Sequence, residues 1–218
     1  MRLGSASAIV GVVTLLVATF MHPMHADPDD AAAAFAEYAA DRWWIASHLA
    51  AFLGVALMTG ALYGLARSLE SGSGAGIAGL ACLVAFAALA LGAALQAVDG
   101  VALKAMVDRW ASAAPAQKQA AFEAALAVRH IEIGLASYIA LLFGAAIVLF
   151  GRALVVDARH PVWLGWLGIL AGIGTGLGGV LTAFTDFSDL AMMVGMPSNL
   201  AMLAWVMLVG FFMWRHAG

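Results

Sequence analysis

Residues 43–66 read WWIASHLAAFLGVALMTGALYGLA. No Asp, Glu, Lys or Arg interrupts the run, and it exceeds the ~20 residues that carry a helix across the hydrocarbon of a bilayer. A helix satisfies its own backbone polar groups in lipid, which an open strand cannot do. The two tryptophans at its head suit a membrane interface, where the ring meets both oil and water. The stretch therefore predicts a transmembrane helix, and the rest of the chain repeats the pattern.

Five further apolar runs lie at 3–21, 76–98, 131–150, 162–184 and 196–214. Of the 218 residues, 64% are hydrophobic and 11% charged, whereas a soluble domain carries about a quarter charged residues to wet its surface. The expected fold is all-α. It is a polytopic six-helix transmembrane bundle forming one domain over 1–218, with spans two to five as its core and the lipid bilayer as its first partner. Arg2 ahead of an apolar stretch has the look of a secretion signal. A cut after Ala26, however, would put Met24 where a small residue belongs, so the first helix is expected to stay. The net charge of −3, with no basic patch, argues against nucleic acid as a partner. The single cysteine, Cys82, leaves no internal disulfide to form.

Charge orients the chain. With the N-terminus inside, the cytoplasmic ends hold Arg2, Arg67, Arg152, Arg159 and Arg215, the last within the Trp-Arg-His stretch that includes His216, against the acids Glu70 and Asp157. The other side has as many basic residues and most of the acids, among them Asp27, Asp29, Asp30, Glu37 and Asp41. The arginines are denser on the short turns, which favours cytoplasmic termini in a bacterial inner (plasma) membrane. Trp43 and Trp44 then mark one interface, and Trp163, Trp166 and Trp214 the other. Two long outer loops remain, 22–42 and 99–130. The second reads as amphipathic helix broken at Pro115, which suits the first turn of a helix running into the fourth span.

The fifth run contains GIGTGLGG, a formal dinucleotide fingerprint at Gly174, Gly176 and Gly179. That fingerprint needs a preceding strand and a water-facing turn, and neither is present here. Spacings such as Gly168, Gly172, Gly176 and Gly60, Gly64 instead let helix backbones approach closely.

The polar residues inside the runs carry whatever chemistry there is. His48 lies about a turn and a half into the second span, with Thr59 on the face beneath it. His130 opens the fourth span above Ser137. Asp99 ends the third over Gln96, and Asp186 ends the fifth over Thr182. The order His48, Arg67, Asp99 is echoed by His130, Arg152, Asp186, which suggests an internal repeat of helix pairs. Four helices would then aim two imidazoles and two carboxylates at one outer-leaflet pocket, lined also by Thr59, Gln96, Glu132, Ser137 and Thr182.

Three readings of that pocket stand at this point. His48, His130, Asp99 and Asp186 form a donor set for Zn, Cu or Fe within a bundle. The two histidines alone could clamp a haem, with Arg42 and Arg129 near its propionates. Either cofactor would make the protein a redox or enzymatic one. Alternatively the same pocket serves transport of a small solute, or the four groups simply sit hydrated in the headgroup layer of an accessory protein without a site. Arg129 and Glu132, three apart, are spaced to pair with each other. His22 and His25 in MHPMH, with Met192, Met193 and Met196, offer softer copper ligands, although loop histidines and lipid-facing methionines commonly mean nothing more. A homo-oligomer is left open by the sequence. So are the reaction and the substrate.

Four marks recur together: His22-Pro23 after the first span, Trp43 to His48 opening the second, Ile131 to Leu135 (IEIGL), and Pro161 to Gly168 (PVWLGWLG). In these the chain resembles a family of small six-helix bacterial integral membrane proteins of unknown function. The resemblance covers most of the chain. It implies the fold and the location and no activity.

Overall fold

The computed structural model describes residues 1–27, 30–157 and 159–215; Asp29 and His216, counted above among the charged ends, lie outside these. Every regular element among the described residues is helical. The helices are α1 (Arg2–Met21), α2 (Ala31–Ala40), α3 (Trp44–Leu69), α4 (Ala75–Gln96), α5 (Lys104–Ser112), α6 (Lys118–Val156), α7 (Val162–Thr185) and α8 (Asp189–Arg215). Six helical stretches are long and apolar enough to cross a membrane: α1, α3, α4 with its continuation into α5, α6, α7 and α8. The protein is a multi-pass membrane protein whose helices contact lipid.

Two spans overrun their apolar runs. A π-helical segment, Ala97–Leu103, carries α4 without a break into α5. A single 3-10 turn at Pro115–Gln117 then opens α6, which runs 39 residues to Val156. The 99–130 stretch is thus helical on both sides of Pro115. The last helix starts at Asp189 rather than near 196 and keeps Pro197 inside it, which membrane helices tolerate because neighbours re-satisfy the freed carbonyl.

Each span packs on its neighbours in sequence, and the chain closes on itself. α1 lies on α3, α3 on α4, α4 on α6, α6 on α7, α7 on α8, and α8 returns to α1 and α3. The apolar core draws on all six spans. Ala8 and Val12 come from α1, and Trp205, Val206 and Met213 from α8, beside Leu62, Ala85, Phe150 and Leu164 of the spans between. Close approach of backbones holds the tightest pair. A Cβ added to Gly172 of α7 would lie 2.6 Å from the Gly144 carbonyl oxygen of α6, so only glycine allows that contact. The Trp205 indole crosses between α8 and α7, its Nε1 donating to the Leu164 carbonyl at 2.8 Å.

The two ends of the ring differ. At one, the turn after α3 is tied to the end of α6, with Ser73 Oγ donating to the Val156 carbonyl and Arg159 reaching both Asp157 and Ser71. At the other, α2 and α5 fold over the ring as a cap. Phe35, Tyr38, Trp44, Leu103, Val107 and Ala125 form a second apolar cluster there, separate from the core between the spans. The cap covers the end that holds the polar residues.

Candidate functional site

His48 sits one turn inside α3, four residues after Trp44, and both side chains are buried. The ring is held at its near side. Its Nδ1 lies 2.7 Å from the Trp44 carbonyl oxygen and 3.4 Å from Ser47 Oγ, which itself donates to the same carbonyl. Its far nitrogen, Nε2, lies 3.0 Å from Asp99 Oδ2. Asp99 comes from the π-helical segment after α4, and the Trp44 indole N–H donates to its backbone carbonyl at 3.1 Å. The widened turn alters the helix register where Asp99 and Gly100 meet α3, a device that recurs at functional sites. Gly100 is the floor under the imidazole: a Cβ there would lie 2.6 Å from His48 Cβ.

A second imidazole completes the group. His22 directly follows α1, and its ring packs 4.8 Å from Trp44 and 5.1 Å from His48 between centroids. Its Nδ1 lies 2.8 Å from the Pro23 carbonyl. One donor atom each from His22, His48 and Asp99 lie within 4.8 Å of one another. A carbonyl oxygen can only accept, so Nδ1 carries a hydrogen in both rings, while the His48 Nε2 faces the Asp99 carboxylate oxygen. Burial and the nearby His48 hold the His22 imidazole below its ordinary value, which favours the neutral, ligating form. The segment carrying His22 is clamped in turn, because the Glu37 carboxylate of α2 accepts from the backbone of His25 and Ala26 at 3.1 and 2.9 Å.

A layer of larger groups adjoins these three. The Tyr38 ring packs against Trp44 at 4.4 Å between centroids, tilted by 40°, and meets the His22 ring edge-on at 6.2 Å. Its hydroxyl accepts from Arg129 Nη1 at 3.0 Å. The Arg129 guanidinium lies over both Tyr38 and Phe187, at 5.7 and 5.6 Å from the ring centroids, and 3.9 Å from Glu132. Arg129 and Glu132 are almost wholly buried, and Glu132 Oε2 finds no hydrogen-bond partner among the described residues. Burial raises the Tyr38 phenol above its usual range, so it stays an O–H group at neutral pH. Lys104 fixes the Tyr38 backbone by donating to the carbonyls of Tyr38 and Ala39 at 3.1 and 3.0 Å.

The residues singled out in the sequence divide sharply. His48 and Asp99 meet, with Arg129 and Glu132 in the adjoining layer. His130, Asp186 and Arg42 are exposed and stay outside the cluster. One helical position moves a side chain by about 100° around the axis, so with Arg129 turned inward His130 turns out. Asp186 ends α7 in the left-handed region, at φ 55°. Arg42 packs its guanidinium over the Trp43 ring at 5.4 Å. The hydroxyls of Thr59, Ser137 and Thr182 donate to their own helix carbonyls at Val55, Gly134 and Gly178. Gln96 is partly buried, its Oε1 without a hydrogen-bond partner among the described residues. The two halves of the expected repeat are therefore used differently.

His22, Trp44, Tyr38 and Gly100 did not stand out as a set in the sequence. His22 was readable there as one of a loop pair with His25 and Trp44 as an interface marker, each also within a mark of the family resemblance. The signal that could have joined them is the i, i+4 spacing of Trp44 and His48, which puts ring over ring on one helix face.

A family model described as a domain of unknown function, DUF4386, matches residues 5–215. No curated protein and no solved structure matches the chain. The matched segment takes in all six spans and every residue of the cluster, and the chain belongs to that family.

Proposed function

We propose that this member of a family of unknown function is a membrane metalloprotein that binds one transition-metal ion through His22 Nε2, His48 Nε2 and an Asp99 carboxylate oxygen. One observation carries the reading: both rings spend Nδ1 on a backbone carbonyl, and one donor atom each from His22, His48 and Asp99 lie within 4.8 Å of one another. A ligating histidine almost always donates its other N–H to a carbonyl or carboxylate, which fixes tautomer and aim. That second layer is present here for both rings. Two imidazoles and a carboxylate suit Zn, Fe or Cu, and three protein ligands leave positions for water or substrate, as catalytic sites do. The function is accordingly enzymatic or redox chemistry at one membrane face.

Haem fits less well. It needs two nitrogens facing each other across a flat macrocycle, whereas His130 is exposed and the rings of His22 and His48 lie in contact. Transport is less favoured too, because the hydroxyls of Thr59, Ser137 and Thr182 are committed to their own helices above an apolar core. By the density of arginine on the short turns, the cap faces the outside and both termini are cytoplasmic.

The test is metal loading of the purified, chelator-treated protein with Co(II), whose visible bands report ligation. One ion per chain is expected, lost in His22→Ala, His48→Ala and Asp99→Asn and retained in His130→Ala. Absence of binding by Zn, Fe or Cu as well as Co, or binding that survives His48→Ala, would return the protein to the accessory class.

A further inference from the structure

We infer that the open side of the His22–His48–Asp99 centre receives an oxyanion, a carboxylate or phosphate group, through the hydroxyl hydrogen of Tyr38. The inference rests on the metal-site reading. Its own ground is a donor left over in the layer beside that site.

Tyr38 Oη already accepts a hydrogen bond from Arg129. The phenol therefore has its own hydrogen still to give, and among the described residues no acceptor takes it. Both side chains are more than nine-tenths buried. A buried O–H without an acceptor costs free energy, so its persistence points to a group that arrives from outside. The ring lies beside the centre: Tyr38 packs at a tilt on Trp44, which packs at a tilt on His48, and it meets His22 edge-on. A phenol hydrogen polarised by a guanidinium on its oxygen is a strong donor toward negative charge.

The class of ligand follows from what surrounds this donor. Arg129, beside Glu132 at 3.9 Å, donates one hydrogen bond to the Tyr38 hydroxyl oxygen, and a bound metal would outweigh the single charge of Asp99 on the other side. A cationic ligand would meet the charge of the metal, and a purely apolar one would leave the Tyr38 hydrogen without an acceptor. An oxyanion bridges metal and hydroxyl, with one oxygen on the metal and another accepting from Tyr38. The cap of α2 and α5 shields the pair from bulk water, which strengthens both contacts.

The experiment uses the full chain in phosphatidylcholine nanodiscs, loaded with Co(II) and titrated with inorganic phosphate and with acetate. Either anion should shift the visible bands in a saturable way. In Tyr38→Phe, which keeps the ring, anion binding should weaken about ten- to a hundredfold when compared at full Co(II) loading of each protein, the effect of one hydrogen bond to a charged acceptor. Discs containing phosphatidylglycerol show whether the oxyanion also arrives on a lipid: the bands would then shift before any anion is added. A Co(II) protein whose spectrum ignores both anions and the lipid overturns the inference. So does a Tyr38→Phe variant that binds them as tightly as the parent. If no Co(II) binds at all, the metal-site reading fails first, and the two failures are told apart.

Discussion

Nε2 of His48 lies 3.0 Å from Oδ2 of Asp99, while the other nitrogen of that ring is committed, 2.7 Å from the Trp44 carbonyl. A neutral ring with its hydrogen on Nδ1 would set a lone pair against a carboxylate. Something positive must therefore stand between them, either a second ring proton or a metal ion. The same contact explains why α4 does not remain a regular helix here. The wider turn at Ala97–Leu103 puts the carboxylate, a backbone carbonyl for the Trp44 indole and a residue without a side chain against one face of α3.

Gly100→Ala tests that arrangement. The added Cβ would lie 2.6 Å from His48 Cβ and 3.0 Å from Cγ, well inside contact distance, so ring or helix must shift. The expected variant folds but binds Co(II) at least about tenfold more weakly, since misplacing one ligand or its support costs on the order of 10–100-fold in affinity. Gly79→Ala is the control, because nothing lies within 4 Å of its Cβ position. Equal metal affinity in parent and Gly100→Ala would show that the imidazole position does not matter.

How much of this was legible beforehand depends on what each residue needed. The spans were readable from run length alone, because lipid demands helices of a minimum length whatever their partners. That His48 and Asp99 lie toward the same end of the bundle was readable too, since consecutive spans run in opposite directions, although the reading grouped them with His130 and Asp186. Arg129 and His130 were harder. Adjacent polar residues at the head of an apolar helix carry no periodic signal to say which one faces inward. The likeness of His130 to His48 favoured the residue that proves to face out. His22 depended on a loop folding back over α3, a non-local contact that no local pattern announces. The π-helical turn was hidden because Ala97–Leu103 has a composition equally suited to regular α-helix. Membership of a family of unknown function supports the architecture and leaves the chemistry to these contacts.

The packing of α6 on α7 gives a second prediction. At Gly172 an added methyl meets the Gly144 carbonyl oxygen at 2.6 Å and the Val148 nitrogen at 2.8 Å, both of them backbone atoms. The helices must part to admit it, and overpacking of this kind costs about 1–3 kcal/mol. Gly176, one turn on, has nothing within 4 Å of its Cβ position. Gly176→Ala should be neutral or mildly stabilising, since alanine is the better helix former. Thermal unfolding in detergent should rank Gly172→Ala below the parent and Gly176→Ala at or above it. The reverse order would mean that the α6–α7 contact is looser than these distances require.

Orientation can be read chemically. Ala36 is exposed on α2, in the cap. With the partly buried Cys82 replaced by Ala, Ala36→Cys should react in intact cells with a reagent that cannot cross the membrane. Reaction only after the cells are opened would invert the topology and bring the His22–His48–Asp99 cluster to the cytoplasmic face.

The opposite end of the ring predicts a pH dependence that owes nothing to the cluster. Asp157 ends α6 almost wholly buried, and its carboxylate accepts from the Arg159 backbone at 3.0 Å and from Nε and Nη2 at 2.9 and 2.7 Å. These bonds from Arg159 hold its carboxyl below the ordinary carboxylate range. A value depressed in the folded state means that the contribution is complete above the unfolded value, about 3.9, and fades as pH falls through the folded one. Arg159 is exposed, which weakens the pair through solvent screening, so Asp157→Asn should destabilise the protein only modestly at neutral pH. In melting curves the variant should sit a few degrees below the parent from pH 8 to about pH 5. The gap should then close on further acidification, as the parent loses what the variant never had. A gap that holds its full size down to pH 3 would show that Asp157 acts there by shape, with its charge contributing nothing.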